Sequence, residues 1–182
     1  IRLFFIYFFV SLYLISCSSS KNKTYSEGNN IRGPEEIYVD AMIFFDNENY
    51  VNANNEFLEL QKLYPLSNEA IQAEIMSGFI SYIQLDYLSA IFKFQNIIQK
   101  YPSHKELDYV YYMIAICNYE QINHHELDGK YNEISLDAFN KVILRFPDSK
   151  YAKDSRQKII LIKSNKAAKH MSIGRFYLKE KK

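Results

Sequence analysis

Glycine is scarce in this chain and histidine scarcer: five glycines and four histidines in 182 residues. The glycines are not gathered into a strand–turn–helix loop, so a phosphate cradle of backbone amides is excluded. The histidines, His104, His124, His125 and His170, are scattered. Only His124-His125-Glu126 is local, and no cysteine or third ligand stands at metal-binding spacing, so no metal site is expected. No serine sits in a nucleophile elbow. With no catalytic constellation, an enzyme is not expected. An excess of one charge is also lacking: 22 Lys+Arg face 21 Asp+Glu. That balance argues against nucleic acid as a partner, and the basic C-terminal stretch interleaves only Phe176-Tyr177 as stacking aromatics.

Cysteine occurs twice, at Cys17 and Cys117. Cys117 lies among Met113, Ile114, Ala115, Ile116 and Tyr119, where a small buried apolar residue is expected. Cys17 closes Leu14-Ile15-Ser16-Cys17, behind a nearly continuous apolar run from Leu3 to Ile15 and ahead of Ser18-Ser19-Ser20-Lys21-Asn22-Lys23. A spanning helix needs about 20 apolar residues, and this run is shorter. The pattern resembles a bacterial lipoprotein signal. Residues 1–16 are then a signal peptide that is removed, and Cys17 receives the lipid. Ser18 after the cysteine, in place of Asp, favours export to the outer membrane. The lipid is the one prosthetic group expected, and Cys117 is left without a disulfide partner, so packing must supply the stability. Ile1 is not a start residue, and clipping at the N-terminus is expected.

Residues 17–33 are polar, with Gly28 and Gly33, and read as a lipidated flexible tether. Order begins at Gly33-Pro34-Glu35-Glu36: proline suits the first helical position, and acids suit the positive end of the helix dipole. From there the chain repeats. Tyr50-x-x-Ala53-x-x-x-Phe57-x-x-Leu60-x-x-x-Tyr64-Pro65 returns as Tyr87-x-x-Ala90-x-x-x-Phe94-x-x-Ile97-x-x-x-Tyr101-Pro102. A third copy is Ser135-x-x-x-Phe139-x-x-Val142-x-x-x-Phe146-Pro147. Spacings of three and four residues mark helices with one buried face, and each aromatic-Pro stops its helix. An amphipathic helix precedes each copy, with Ala41, Gly78 and Ala115 at equivalent places for close approach. Asn49 and Asp86 are expected N-caps, and Ser103-x-x-Glu106 an expected capping box. A helix–turn–helix unit of about 34 residues ending in proline is the tetratricopeptide (TPR) pattern.

An all-α TPR solenoid of stacked antiparallel helix pairs over 34–182 is therefore expected, with repeats 34–65, 67–102, 104–147 and an incomplete 149–182. The 45-residue step from Pro102 to Pro147, against 37 from Pro65 to Pro102, implies an enlarged loop at Asn123–Gly129. The fourth unit has no closing aromatic-Pro and no polar cap, which solenoids require, so truncation is expected at the C-terminus too. Charge is uneven: Glu35, Glu36, Asp40, Asp46, Glu48, Glu56 and Glu59 pass without a base, whereas Lys163 to Lys182 contains only Glu180 as an acid. Such ends suit different partners.

The first helix of each pair is expected to line a peptide-binding groove. In the first repeat the register selects Tyr38, Met42 and Phe45. In the second it selects Gln72, Ile75, Phe79 and Tyr82. In the third it selects Tyr109, Tyr112 and Tyr119. This aromatic set suits an extended peptide held in apolar pockets.

The lipobox, the tether, Pro34-Glu35-Glu36-Ile37-Tyr38 and the units closing Tyr64-Pro65-x-Ser67, Tyr101-Pro102-Ser103-His104 and Phe146-Pro147-Asp148-Ser149-Lys150-Tyr151-Ala152 together resemble the BamD family. Lys169-His170-Met171-Ser172-Ile173-Gly174-Arg175-Phe176-Tyr177-Leu178-Lys179 is similar to that family's fourth-to-fifth repeat junction. The resemblance implies a non-enzymatic lipoprotein of the β-barrel assembly machinery, on the periplasmic face of the outer membrane. Early repeats would receive unfolded β-barrel precursors, and later repeats would dock a BamA-like barrel subunit. The chain departs from the family in stopping within its fourth repeat of five. It also lacks an acidic–basic stretch in the Asn123–Tyr131 loop. The competing expectation is another exported TPR scaffold, for envelope maintenance or cell-wall assembly.

Overall fold

A computed structural model describes residues 32–122 and 129–181. The expected signal peptide, Cys17, most of the tether and the core of the enlarged loop lie outside the described residues. Among the described residues there are seven helices and no strand: α1 (Pro34–Asp46), α2 (Tyr50–Leu63), α3 (Asn68–Ile83), α4 (Tyr87–Lys100), α5 (Leu107–Glu120), α6 (Lys130–Arg145) and α7 (Lys150–Glu180). Each helix packs on the next, and α1 also touches α3 as α5 touches α7.

Local chemistry sets the boundaries. Pro34 opens α1 with Glu35 and Glu36 in its first turn. Asn49, Ser67 and Asp86 accept the amides of Asn52, Ala70 and Ser89 at 3.3, 3.0 and 3.1 Å. The three aromatic-Pro stops share one backbone shape: Tyr64, Tyr101 and Phe146 have φ/ψ of −132°/56°, −130°/63° and −136°/59°. Proline's Cδ forbids the α conformation to the residue before it. The turns within the first two pairs are also alike, since the amides of Asn49 and Asp86 reach back to the carbonyls of Phe44 and Ser81. Glu48 and Leu85 carry the left-handed φ of 58° and 62° that this Schellman closure requires.

The expected capping box at Ser103 does not form. Glu106 is itself the N-cap of α5, without a side-chain cap bond. Its amide is taken by His104 Nδ1 at 3.3 Å, and its carboxylate accepts from Gln72 Nε2 on α3 at 2.9 Å. A contact between repeats thus displaces a local one.

The core is built in three consecutive blocks. Ala53, Phe57 and Leu60 of α2 anchor the first against α1 and α3. Ala90, Phe94 and Ile97 of α4 anchor the second between α3 and α5. Phe139 of α6 anchors the third against α5 and α7. The second helix of each pair buries one stripe, whereas α3 and α5 bury residues towards both neighbouring blocks. Arg32 fastens the start of the domain, pairing with Asp40, Glu56 and Glu59 at 3.3, 3.0 and 3.0 Å. Its carbonyl accepts Tyr64 Oη at 2.6 Å. Three acids of the base-free N-terminal run are collected in this way.

Ser135 occupies the place held by Ala53 and Ala90 in the earlier copies. It is fully buried, and its Oγ has no hydrogen-bond partner among the described residues. An unpaired buried hydroxyl costs about 1–3 kcal/mol. Ser135→Ala is therefore expected to raise the urea midpoint, with m unchanged, by a stability gain of about 1 kcal/mol. A midpoint that stays level or drops would show that the hydroxyl is satisfied.

Candidate functional site

The candidate site is an aromatic face carried mainly by α1, α3 and α5 and joined by Tyr50 of α2, Tyr87 of α4 and Tyr151 of α7. Tyr50, Phe45, Phe79, Tyr82 and Tyr87 form one chain of rings, with successive centroids 5.6, 6.1, 5.9 and 5.9 Å apart. Such separations lie within the attractive range for aromatic pairs. A second cluster forms around Tyr151 of α7, which lies 5.5 Å from Tyr109 and 5.0 Å from Tyr112, stacked on the latter. Phe139 extends that cluster from Tyr112, at 6.3 Å, to Tyr119, at 6.2 Å. Tyr38 leans on Phe57 at 5.7 Å, and Met42 packs against the first core block.

Nine of the ten groove residues selected from sequence are partly exposed. The tenth, Ile75, is 3% exposed and belongs to the second core block, so it offers no surface to a peptide. The cause is that α3 is sandwiched between two blocks: a position aligned with the open face of α1 is covered once α4 and α5 close over it. Sequence reasoning also missed Tyr50, Tyr87 and Tyr151. The signal for Tyr151 was present, because the N-caps Ser67 and Ser149 align α7 with α3 and place Tyr151 in its first turn.

Polar contacts fix these rings. Tyr112 Oη donates to Asp154 Oδ2 at 2.6 Å, tying α5 to α7. Ser149 Oγ donates to Asp108 Oδ2 at 2.6 Å along the same edge. Burial, and then the bond to Asp154, pushes the Tyr112 phenol well above the usual tyrosine value. Burial does the same to Tyr109. Lys158 Nζ stands 4.9 Å over the Tyr119 ring. Between α1 and α3 the face opens into a cleft of about 400 Å3 lined by Glu35, Tyr38, Val39, Asn68, Glu69 and Gln72.

Other features are plainer. Cys117 is buried, as its apolar neighbours suggest, and burial pushes its thiol up to about 12. Among the described residues no group of three His, Cys, Asp or Glu side chains is placed to hold a metal. No described helix is long and apolar enough to cross a membrane. From Lys163 to Lys181 every residue of α7 and its closing turn is exposed.

Serial helix pairs closed by aromatic-Pro, with rings bridging from one pair to the next, define a TPR-type scaffold. The chain belongs to the YfiO family of outer membrane lipoproteins, whose model matches residues 32–182. Its relatives include proteins named outer membrane protein assembly factor BamD. The one from Rickettsia prowazekii is 33% identical over 173 residues, which is 94% of this chain and 67% of the relative. The one from Caulobacter vibrioides is 33% identical over 148 residues, 81% of this chain and 48% of the relative. The one from Neisseria gonorrhoeae is 25% identical over 155 residues, 80% and 58%. The chain thus spans between about half and two thirds of the length of these relatives. The family read from the lipobox and the repeats is the family found.

Proposed function

We propose that this chain is a non-enzymatic scaffold for the assembly and insertion of β-barrel proteins into the outer membrane. The aromatic face of α1, α3 and α5 receives extended segments of unfolded barrel precursors. The later helices dock a BamA-like barrel subunit, and a lipid on Cys17 holds the protein on the periplasmic face. Kinship with proteins named as outer membrane assembly factors supports the role. The observation that carries the precursor-binding part is the run of partly exposed rings from Tyr50 through Phe45, Phe79 and Tyr82 to Tyr87. Side chains alternate along an extended strand, so an aromatic at every second position meets such rings in turn. The exposed, base-rich end of α7 supports a second docking surface.

Purification from detergent-solubilised envelopes tests the proposal. Recovery of a β-barrel subunit with the tagged chain is the expected result. Recovery of cell-wall enzymes in its place would overturn the proposal and favour a role in envelope maintenance. The lipid is tested separately. Each buried CH2 of an acyl chain contributes about 0.8 kcal/mol to membrane binding, so Cys17→Ser is expected to leave helicity unchanged and move the protein out of the membrane fraction. A variant still found in the outer membrane would show that partner docking, not the lipid, is the main anchor.

A further inference from the structure

The cleft between α1 and α3 differs in chemistry from the aromatic face beside it. One wall is apolar, formed by the Tyr38 ring and by Val39, which is 55% exposed. Carboxylates stand beside it in the lining. Glu35 stands in the first turn of α1 and Glu69 in the first turn of α3. Glu106, the N-cap of α5, is drawn towards the cleft by its 2.9 Å bond from Gln72. That bond uses an amide hydrogen of Gln72 and leaves its Oε1 able to accept. Burial, and then the charge of Glu106, raises the Tyr38 phenol, so the negative potential reaches the aromatic wall.

These carboxylates are not neutralised from within. Among the described residues no base pairs with Glu35 or Glu69. Glu106 has a long contact to Lys105, 3.9 Å, whose side chain is 80% exposed. The nearest strong cation in sequence, Arg32, is occupied by Asp40, Glu56 and Glu59. A volume of about 400 Å3 is at the lower end of what holds a small ligand. An occupant that satisfies the cleft has an aliphatic stem for Val39, a positive head for the carboxylates and Gln72 Oε1, and a charge able to sit over the Tyr38 ring. A chain-terminal carboxylate has the wrong sign.

We propose that this cleft binds a lysine or arginine side chain of the polypeptide segment whose aromatic residues lie on the neighbouring rings. The inference rests on the reading of the aromatic face as a precursor-binding surface and adds a charged determinant to it. Aromatic side chains then supply affinity, and the basic side chain sets the register, since only one position of the segment can offer it to the carboxylates.

The test uses the full chain in detergent and two short fluorescein-labelled, C-terminally amidated peptides of alternating aromatic residues. They are identical except that one carries lysine where the other carries norleucine. Anisotropy titration is expected to give the lysine peptide about tenfold tighter binding, with the difference shrinking as salt rises. Glu35→Gln/Glu69→Gln is expected to weaken the lysine peptide by a similar factor and leave the norleucine peptide unchanged. Thermal melts check that this surface variant stays folded. Equal affinities for the two peptides would overturn the cleft proposal and leave the aromatic reading standing. A lysine preference that survives the double substitution would also overturn it, by placing the charge elsewhere. Absence of binding by either peptide would remove the aromatic reading and the cleft with it.

Discussion

Gly78→Ala is expected to destabilise the fold, against the usual direction of such a change. In an ordinary helix interior, alanine in place of glycine is worth up to about 1 kcal/mol of stability. Here a Cβ on Gly78 would lie 2.8 Å from Cε1 and 3.0 Å from Cζ of Phe94. Phe94 is fully buried and anchors the second core block, so its ring has nowhere to swing. Overpacking of this kind costs about 1–3 kcal/mol. The expected result is a lower urea midpoint at constant m. Phe94→Leu alone leaves a void and also destabilises, but Gly78→Ala/Phe94→Leu is expected to recover part of the loss, because the new methyl enters the space the ring vacates. A double-mutant cycle reads that coupling directly. A midpoint that rises in Gly78→Ala would show that the α3–α4 contact is looser than the ring geometry implies.

Stability is also expected to fall steeply in alkali. Cys117, Tyr109 and Tyr112 all have folded-state values raised above their ordinary 9.0, 10.0 and 10.0, with burial as the leading cause. Each is an acid that the fold holds in its neutral form. The stability linked to each is complete below its unfolded value and is lost as pH rises through the folded value. For Cys117 the window opens near pH 9 and extends to about 12. For the two tyrosines it opens near pH 10. Urea midpoints measured from about pH 8 upward should hold level and then drop once the thiol window opens. Cys117→Ala should remove the earliest part of the drop. Tyr112→Phe should remove part of the later drop, while costing about 1.5–3 kcal/mol below the tyrosine window through the lost bond to Asp154. A profile flat to pH 11 would contradict the burial of all three groups.

The family and the repeat were legible because both are written locally. Aromatic-Pro forces the same backbone stop at Tyr64, Tyr101 and Phe146 wherever it occurs, and Asn49 and Asp86 cap the next helix within three residues. The buried stripes of α2 and α4, Ala53-Phe57-Leu60 and Ala90-Phe94-Ile97, follow from a spacing of three and four. The failures came where distant segments compete for the same group. Glu106 could have closed a box with Ser103, but Gln72, far away in sequence, takes its carboxylate. Ile75 has the spacing of a groove residue, yet α4 and α5 cover it.

The sequence by itself therefore determined the helices, the repeat, the family and the helix ends other than the start of α5, since each depends on residues within a turn or two of one another. The tertiary structure decided which aromatic residues meet. Phe45 with Phe79, and Tyr112 with Tyr151, are brought together only by the stacking of successive pairs. It also decided that Glu35 of α1 and Glu69 of α3 line one cleft, with Glu106 bonded to Gln72 of its lining. No local pattern records such a meeting, because it depends on how α1, α3 and α5 lie against one another.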